Sequence, residues 1–294
     1  MKKLNNLLAA TDLSAAGNLA AARARPLAEN LSSQLELIHV FNLQALQQLQ
    51  DWLEGEQRNS LRDKLRHQAR EELDNLSTSL TQQYGGHPAA RLLEGTASST
   101  IAAQADAKQS DLVIVGAHGA GHLHELLVGS TPIKLLKHLR CPLLIVRQTT
   151  EPAYRRILVP IDITLESFAH LQLARELAPE AQIIALHVFE LPFEGRLRMA
   201  GIEERQLQEL IASAHQQAQE KLQAQVQQIA GEQIHCAVVH GEPSRGIVQY
   251  AREQDCDLIL LARRQQHPLQ EMLLGSTSRH VLHESACDVL ISTS

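Results

Sequence analysis

The feature that most constrains this chain is that its pattern runs through twice. Leu7-Leu8-Ala9-Ala10-Thr11-Asp12 is echoed by Ile157-Leu158-Val159-Pro160-Ile161-Asp162. His39-Val40-Phe41 returns letter for letter as His187-Val188-Phe189. Asp111-Leu112-Val113-Ile114-Val115 returns as Asp257-Leu258-Ile259-Leu260-Leu261, Gly129-Ser130-Thr131 as Gly275-Ser276-Thr277, and Cys141 as Cys287. The offset drifts only from 150 (12 to 162) through 148 (39 to 187) to 146 (111 to 257, and 141 to 287). Such self-similarity marks a duplicated unit of roughly 145 residues, an ordinary size for one domain. The halves are expected at 1–148 and 154–294, with Thr149-Thr150-Glu151-Pro152-Ala153 as the linker.

Within the first copy, short apolar runs alternate with helical patterns. Leu4–Ala10, Leu35–Phe41, Ala89–Leu93, Asp111–Val115 and Pro142–Val146 read as strands. Ser14 is placed to cap a helix carrying Leu19, Ala22 and Leu27. Residues 43–84, rich in Gln, Arg, Glu and Leu and free of proline, read as one long helix or two, stopped by Gly85-Gly86. Further helices are expected over Ser98–Lys108 and Thr131–His138. Strands that alternate with helices imply parallel pairing, hence two tandem α/β domains, each a doubly wound parallel sheet. Residues 203–230 of the second copy carry Leu207, Leu210, Ile211, Ala214, Ala218, Leu222 and Val226 as a helical stripe, expected to pack on its sheet.

Chemistry is concentrated where the fourth strand ends. Gly116-Ala117-His118-Gly119 follows the run Asp111–Val115, and after nine residues Gly129-Ser130-Thr131 opens the next helix. Glycine lets backbone N–H groups approach a ligand closely. A helix N-terminus adds unpaired donors and the positive end of a dipole, so together they suit phosphate. The spacing is neither GxxxxGK[ST] nor GxGxxG. The plainer alternative is a loop that needs glycine only for its turns; Ser130 and Thr131 could simply cap the helix, which is compatible with phosphate binding. Asp12, at the end of the first strand, suits sugar hydroxyls or Mg²⁺ beside phosphate. As an alternative it is an acidic residue satisfied by nearby helix N–H groups.

The G-x2-G-x9-G-[ST] pattern resembles that of ATP-binding members of the universal stress protein family. Both halves are similar to its domains in the strand ending in Asp, the His-Val strand end, the glycine motif and the Cys-Pro approach to the last strand of the first half. The resemblance implies tandem Rossmann-like domains of the adenine nucleotide alpha hydrolase-like kind, forming an intramolecular pseudo-dimer. It implies an ATP site in the first half, loaded with Mg²⁺. There Asp12 would face ribose and phosphate, the Val40 backbone the adenine edge, and Val115 the base. Gly116, Gly119, Gly129, Ser130 and Thr131 would surround ribose and phosphates, with His118 pointing into the same space. The expected function is ATP-dependent regulation in stress response, with slow hydrolysis or none. The alternatives are an interaction module of the same fold that binds no nucleotide, and an adenylyl-transferring enzyme, which would need a second pocket the sequence does not display.

The second half departs from this pattern. Ala262 and Gln265 replace Gly116 and Gly119, with Arg263 and Arg264 between them. A side chain at 265 would occupy space the phosphates need, so this half is expected to keep the fold, lose the nucleotide and serve as the partner surface for the first half; the alternative is a different ligand, with the arginines reaching an anion.

The remaining features exclude more than they assign. The net charge is −6, and no basic stripe with interleaved aromatics suggests nucleic-acid binding. No apolar run is long enough to span a membrane and no signal peptide is evident, so a cytoplasmic protein is expected. Cys141, Cys236, Cys256 and Cys287 form no CxxC pair and read as reduced, mostly buried thiols. His118, His122, His124 and Glu125 are read as loop residues rather than a metal site. No GxSxG elbow and no placed base point to a catalytic residue. Protein partners, and pairing of whole chains into a homodimer, are left open.

Overall fold

The computed structural model describes residues 3–42, 56–119, 128–147, 153–163, 169–230, 234–263 and 274–293. The chain divides into two compact units, one over Met1–Ala153 and one formed mainly by Tyr154–Gln265 and Leu274–Ser292. In the first, the elements run β1 (Asn6–Thr11), α1 (Ala15–Asn30), β2 (Gln34–Phe41), α2 (Glu56–Tyr84), β3 (Ala89–Glu94), α3 (Ala97–Ala107), β4 (Leu112–Gly116), α4 (Ser130–His138) and β5 (Leu143–Val146). The strands lie in the order β3-β2-β1-β4-β5, and their paired neighbours are parallel.

Buried on both faces, β1, β4 and β5 are almost wholly apolar, as parallel strands under helices must be, whereas β2 is buried in part and β3 has no buried residue. Leu8, Leu37, Leu112, Ile114 and Leu144 are completely inaccessible. Each such side chain contributes about 1.5–3 kcal/mol over its exposed state. Helix α1 meets the sheet through Ala20, Ala21 and Ala24, whose small side chains let it lie close. Its N-cap is Ser14, whose hydroxyl accepts from the Gly17 N–H, as expected. Helix α2 ends where Gly85 and Gly86 adopt φ of +70° and +65°, a conformation that costs glycine little. The part of the expected long helix between 43 and 55 lies outside the described residues.

Strand β1 is fastened at both ends. The Asn5 and Asn6 N–H groups donate to Asp111 Oδ2 at 2.9 and 3.0 Å. At its other end, His39 Nδ1–H donates to the Thr11 carbonyl at 2.9 Å, because a carbonyl can only accept.

The second unit repeats this plan. It runs β6 (Arg156–Pro160), α5 (Ala169–Leu177), β7 (Gln182–Phe189), α6 (Glu194–Met199), α7 (Glu204–Ala230), β8 (Ile234–His240), α8 (Pro243–Glu253), β9 (Leu258–Arg263), α9 (Ser276–Glu284) and β10 (Asp288–Thr293). Its strand order, β8-β7-β6-β9-β10, is that of the first unit. The fastenings recur as well. Arg155 and Arg156 N–H donate to Asp257 Oδ2 at 2.7 and 2.8 Å, and His187 Nδ1–H donates to the Ile161 carbonyl at 2.8 Å. The letter-for-letter repeats at His39 and Asp111 therefore have a structural cause.

The stripe on α7 is only partly buried. Leu207, Leu222 and Val226 are enclosed, whereas Leu210 is 46% exposed. All four cysteines are free thiols; Cys256 and Cys287 are buried, Cys141 and Cys236 half-buried. Among the described residues no helix is long and apolar enough to cross a membrane.

Candidate functional site

In the first unit the chain crosses from one side of β1 to the other between β3 and β4. Crossovers from β1 and β4 thus leave in opposite directions, which opens a crevice at their carboxyl ends. A cavity of about 280 Å³ lies there. Its apolar lining comes from Ala10, Val40 and Val115 at the strand ends, and from Ala97 and Ile101 of α3. The polar lining is Thr11, Asp12, His118, Ser130 and Thr131, with Gly17, Gly116, Gly119 and Gly129 between them and Pro132 on α4. All nine residues singled out in the sequence, drawn from four separate stretches of chain, line this one cavity.

Helix α4 presents its N-terminus there. Its N-cap is Gly129, with extended backbone and no side-chain cap. Ser130 and Thr131 are thus the first two helical residues and neither acts as the cap. Their N–H groups have no intrahelical acceptor, and Pro132 brings no N–H of its own. The Gly129 N–H donates to the Ala117 carbonyl at 2.8 Å, which ties the two arms of the glycine loop together. His122, His124 and Glu125, between those arms, lie outside the described residues. His118 is half-buried, and its Nδ1 is enclosed without a hydrogen-bond partner among the described residues.

The glycines have a packing reason beside any ligand. A Cβ on Gly116 would come within 2.7 Å of the Ala16 carbonyl oxygen, because β4 ends against the start of α1. A Cβ on Gly119 would stand 2.5 Å from Asp12 Oδ2. Asp12 Oδ1 accepts from both the N–H and the hydroxyl of Ser14, the former at 3.1 Å. The local-satisfaction alternative for Asp12 is therefore met at Oδ1, and the residue is exposed in the cavity wall. Sequence reading missed Ala10, Thr11, Gly17, Ala97, Ile101 and Pro132. Of these only Gly17, a glycine within a helical pattern, carried a signal that could have been followed.

The second unit differs at the matching places. Gly246 of α8 lies so close to β7 that a Cβ would meet Val188 Cγ1 at 2.8 Å, whereas α3 carries Thr100 at the equivalent position. The α8 N-terminus holds its own anion. Glu242 accepts from the Ser244 hydroxyl and from the N–H groups of Ser244 and Arg245, at 2.7, 3.0 and 2.9 Å. Those bonds, the Ser244 hydroxyl first, hold its carboxyl below the usual range. Thr96, at the corresponding place before α3, makes no side-chain cap. Ala262 is half-buried in β9; Arg264 and Gln265 lie outside the described residues.

Two open α/β domains of one strand order, each with a switch point at the carboxyl ends of its strands, define a tandem doubly wound α/β protein. Comparison with known sequences agrees: the model of the universal stress protein family matches residues 3–147 and again 153–292. The chain belongs to the universal stress protein family. A universal stress protein of Methanocaldococcus jannaschii is 30% identical over 151 residues, 48% of this chain and 83% of that protein. One of Mycobacterium bovis is 26% identical over 197 residues, 63% of this chain and 62% of the other. Among solved structures, a universal stress protein from Archaeoglobus fulgidus is similar with a TM-score of 0.68 at 18% identity, covering 99% of both chains. A Pseudomonas aeruginosa protein described as functionally unknown gives 0.65 at 20% identity, covering 99% of this chain and 92% of that one.

Proposed function

We propose that the first half binds ATP with Mg²⁺ in the cavity at the β1/β4 switch point, and that the protein is a stress-response regulator with slow hydrolysis or none. The observation that carries this reading is the convergence on one cavity of an apolar floor, a carboxylate and an uncapped helix N-terminus. A base would lie against Val40, Val115 and Ile101. Phosphates would take the Ser130 and Thr131 N–H groups. Among the described residues no group of three or more His, Cys, Asp or Glu could hold a metal. Mg²⁺ would therefore arrive on the phosphates, with Asp12 as the carboxylate in the wall. The second half keeps the fold without the nucleotide, a reading supported by α8 lying against Val188 and by Glu242 at the α8 N-terminus.

The packing of Gly116 and Gly119 favours a second reading, an interaction module that binds no nucleotide, because both glycines are accounted for without a ligand. Calorimetric titration of Mg-ATP into protein stripped of nucleotide separates the two. One site per chain is the expected result. Two sites would restore the second half as a binding domain, and no heat would leave the interaction module.

A further inference from the structure

We propose that Gly17 and Gly119 are positioning residues that wall a slot for the Asp12 carboxylate and so fix how it faces the cavity. This inference rests on the nucleotide reading of that cavity. The two glycines come from different elements, the first turn of α1 and the loop after β4, and meet the carboxylate from different directions. A Cβ on Gly17 would fall on Asp12 Oδ1 and stand 2.9 Å from both Asp12 N and Thr11 Oγ1. A Cβ on Gly119 would meet Oδ2 at 2.5 Å, with Cγ next at 3.6 Å.

Ser14 completes the arrangement. Its hydroxyl donates to Asp12 Oδ1 and accepts the Gly17 N–H at 3.1 Å. The carboxylate is thus held at one oxygen by a hydroxyl that is itself held by the first turn of α1, and is bounded at both oxygens by bare Cα positions. Alanine at 119 moves the carboxylate, the mobile partner, and nothing else among the described residues; alanine at 17 displaces it too, but also presses the Asp12 backbone nitrogen and Thr11 Oγ1. At 119 no atom of the described residues other than those two of Asp12 lies within 4 Å. Glycine at 119 therefore serves Asp12 first, and acts on a ligand through it. The second half keeps the acid at Asp162 while the positions equivalent to the two walls carry Ser167 and Gln265.

The test is a double-mutant cycle on the full chain, read by Mg-ATP titration. Gly17→Ala and Gly119→Ala are each combined with Asp12→Ala. In the protein with Asp12, each glycine substitution lowers affinity about tenfold, as for residues coupled through a shared contact. In the Asp12→Ala background Gly119→Ala changes affinity less than about twofold, while Gly17→Ala, whose Cβ still meets the Asp12 nitrogen and Thr11 Oγ1, costs less than it does with Asp12 present. Equal losses in both backgrounds would overturn the slot. A wild type that binds no Mg-ATP removes the nucleotide reading alone. The slot is then read from melting temperatures in the same cycle: Gly119→Ala lowers Tm when Asp12 is present and leaves it unchanged when Asp12 is alanine, and equal lowering overturns it.

Discussion

At the scale of single residues, the most consequential carboxylate outside the cavity is Asp111. It is buried, and one oxygen takes two backbone N–H groups of the chain entering β1. Asp111→Ala leaves those donors without their anion, and stability falls by about 2–4 kcal/mol, measured by urea unfolding. Asp257→Ala does the same for the second unit through Arg155 and Arg156. The cysteines give a second residue-scale expectation. Burial pushes the Cys256 thiol up to about 12 and the Cys287 thiol up to about 11. At pH 8 neither reacts with a thiol reagent until the protein opens, whereas half-buried Cys141 reacts in the native state. Comparing labelling rates with and without urea checks this. Asp12 and Gly119 were legible in the sequence as site residues because strand ends and glycine spacing are local signals. That they touch was not legible, since the contact spans most of a domain and depends on where α1 begins.

At the scale of elements, strands were the easiest to read, because burial on both faces turns Leu112–Val115 or Ile157–Val159 into unbroken apolar runs. Helix surfaces were harder. Leu210 stands about 120° around α7 from Leu222, at the edge of the stripe, so spacing alone could not say that it faces outward. Nor does a sequence show which residue will cap: Gly129 took the position before α4 that a Ser or Thr usually fills. Helix α8 offers a pH test of its own cap. Glu242 has a carboxyl lowered from 4.5, so its stabilisation is fully present above that value and disappears as pH falls through the lower folded value. Glu242→Ala costs about 0.5–1 kcal/mol at pH 7, the lower part of the range for caps, and the gap to wild type closes on acidification. Thermal melts of both proteins across pH 3–7 read that closure; a gap that stayed constant would mean the carboxylate is not the source.

At the scale of the whole molecule, the fold class and the duplication follow from repeated local patterns, the strand order comes from the structure alone, and the inequality of the two halves is a matter of a few contacts. On adding Mg-ATP, hydrogen exchange should slow around 10–17, 97–101, 115–119 and 129–132, and the equivalent segments of the second half should stay as they were. Saturation at about a hundred times Kd should stabilise the binding unit by about 2.7 kcal/mol. Protection in both halves would mean that α8 and Glu242 do not close the second crevice. The fastenings of β1 and β6 bear on how such an inequality can arise at all. Asp111 and His39, and their copies Asp257 and His187, hold the first strand of each unit in register, and none of the four lines the cavity. The side chains that fasten the first strand of each unit are thus apart from those that line the cavity. After a duplication, one copy is free to drift through changes of ligand, or to none, while selection on folding goes on seeing the same scaffold.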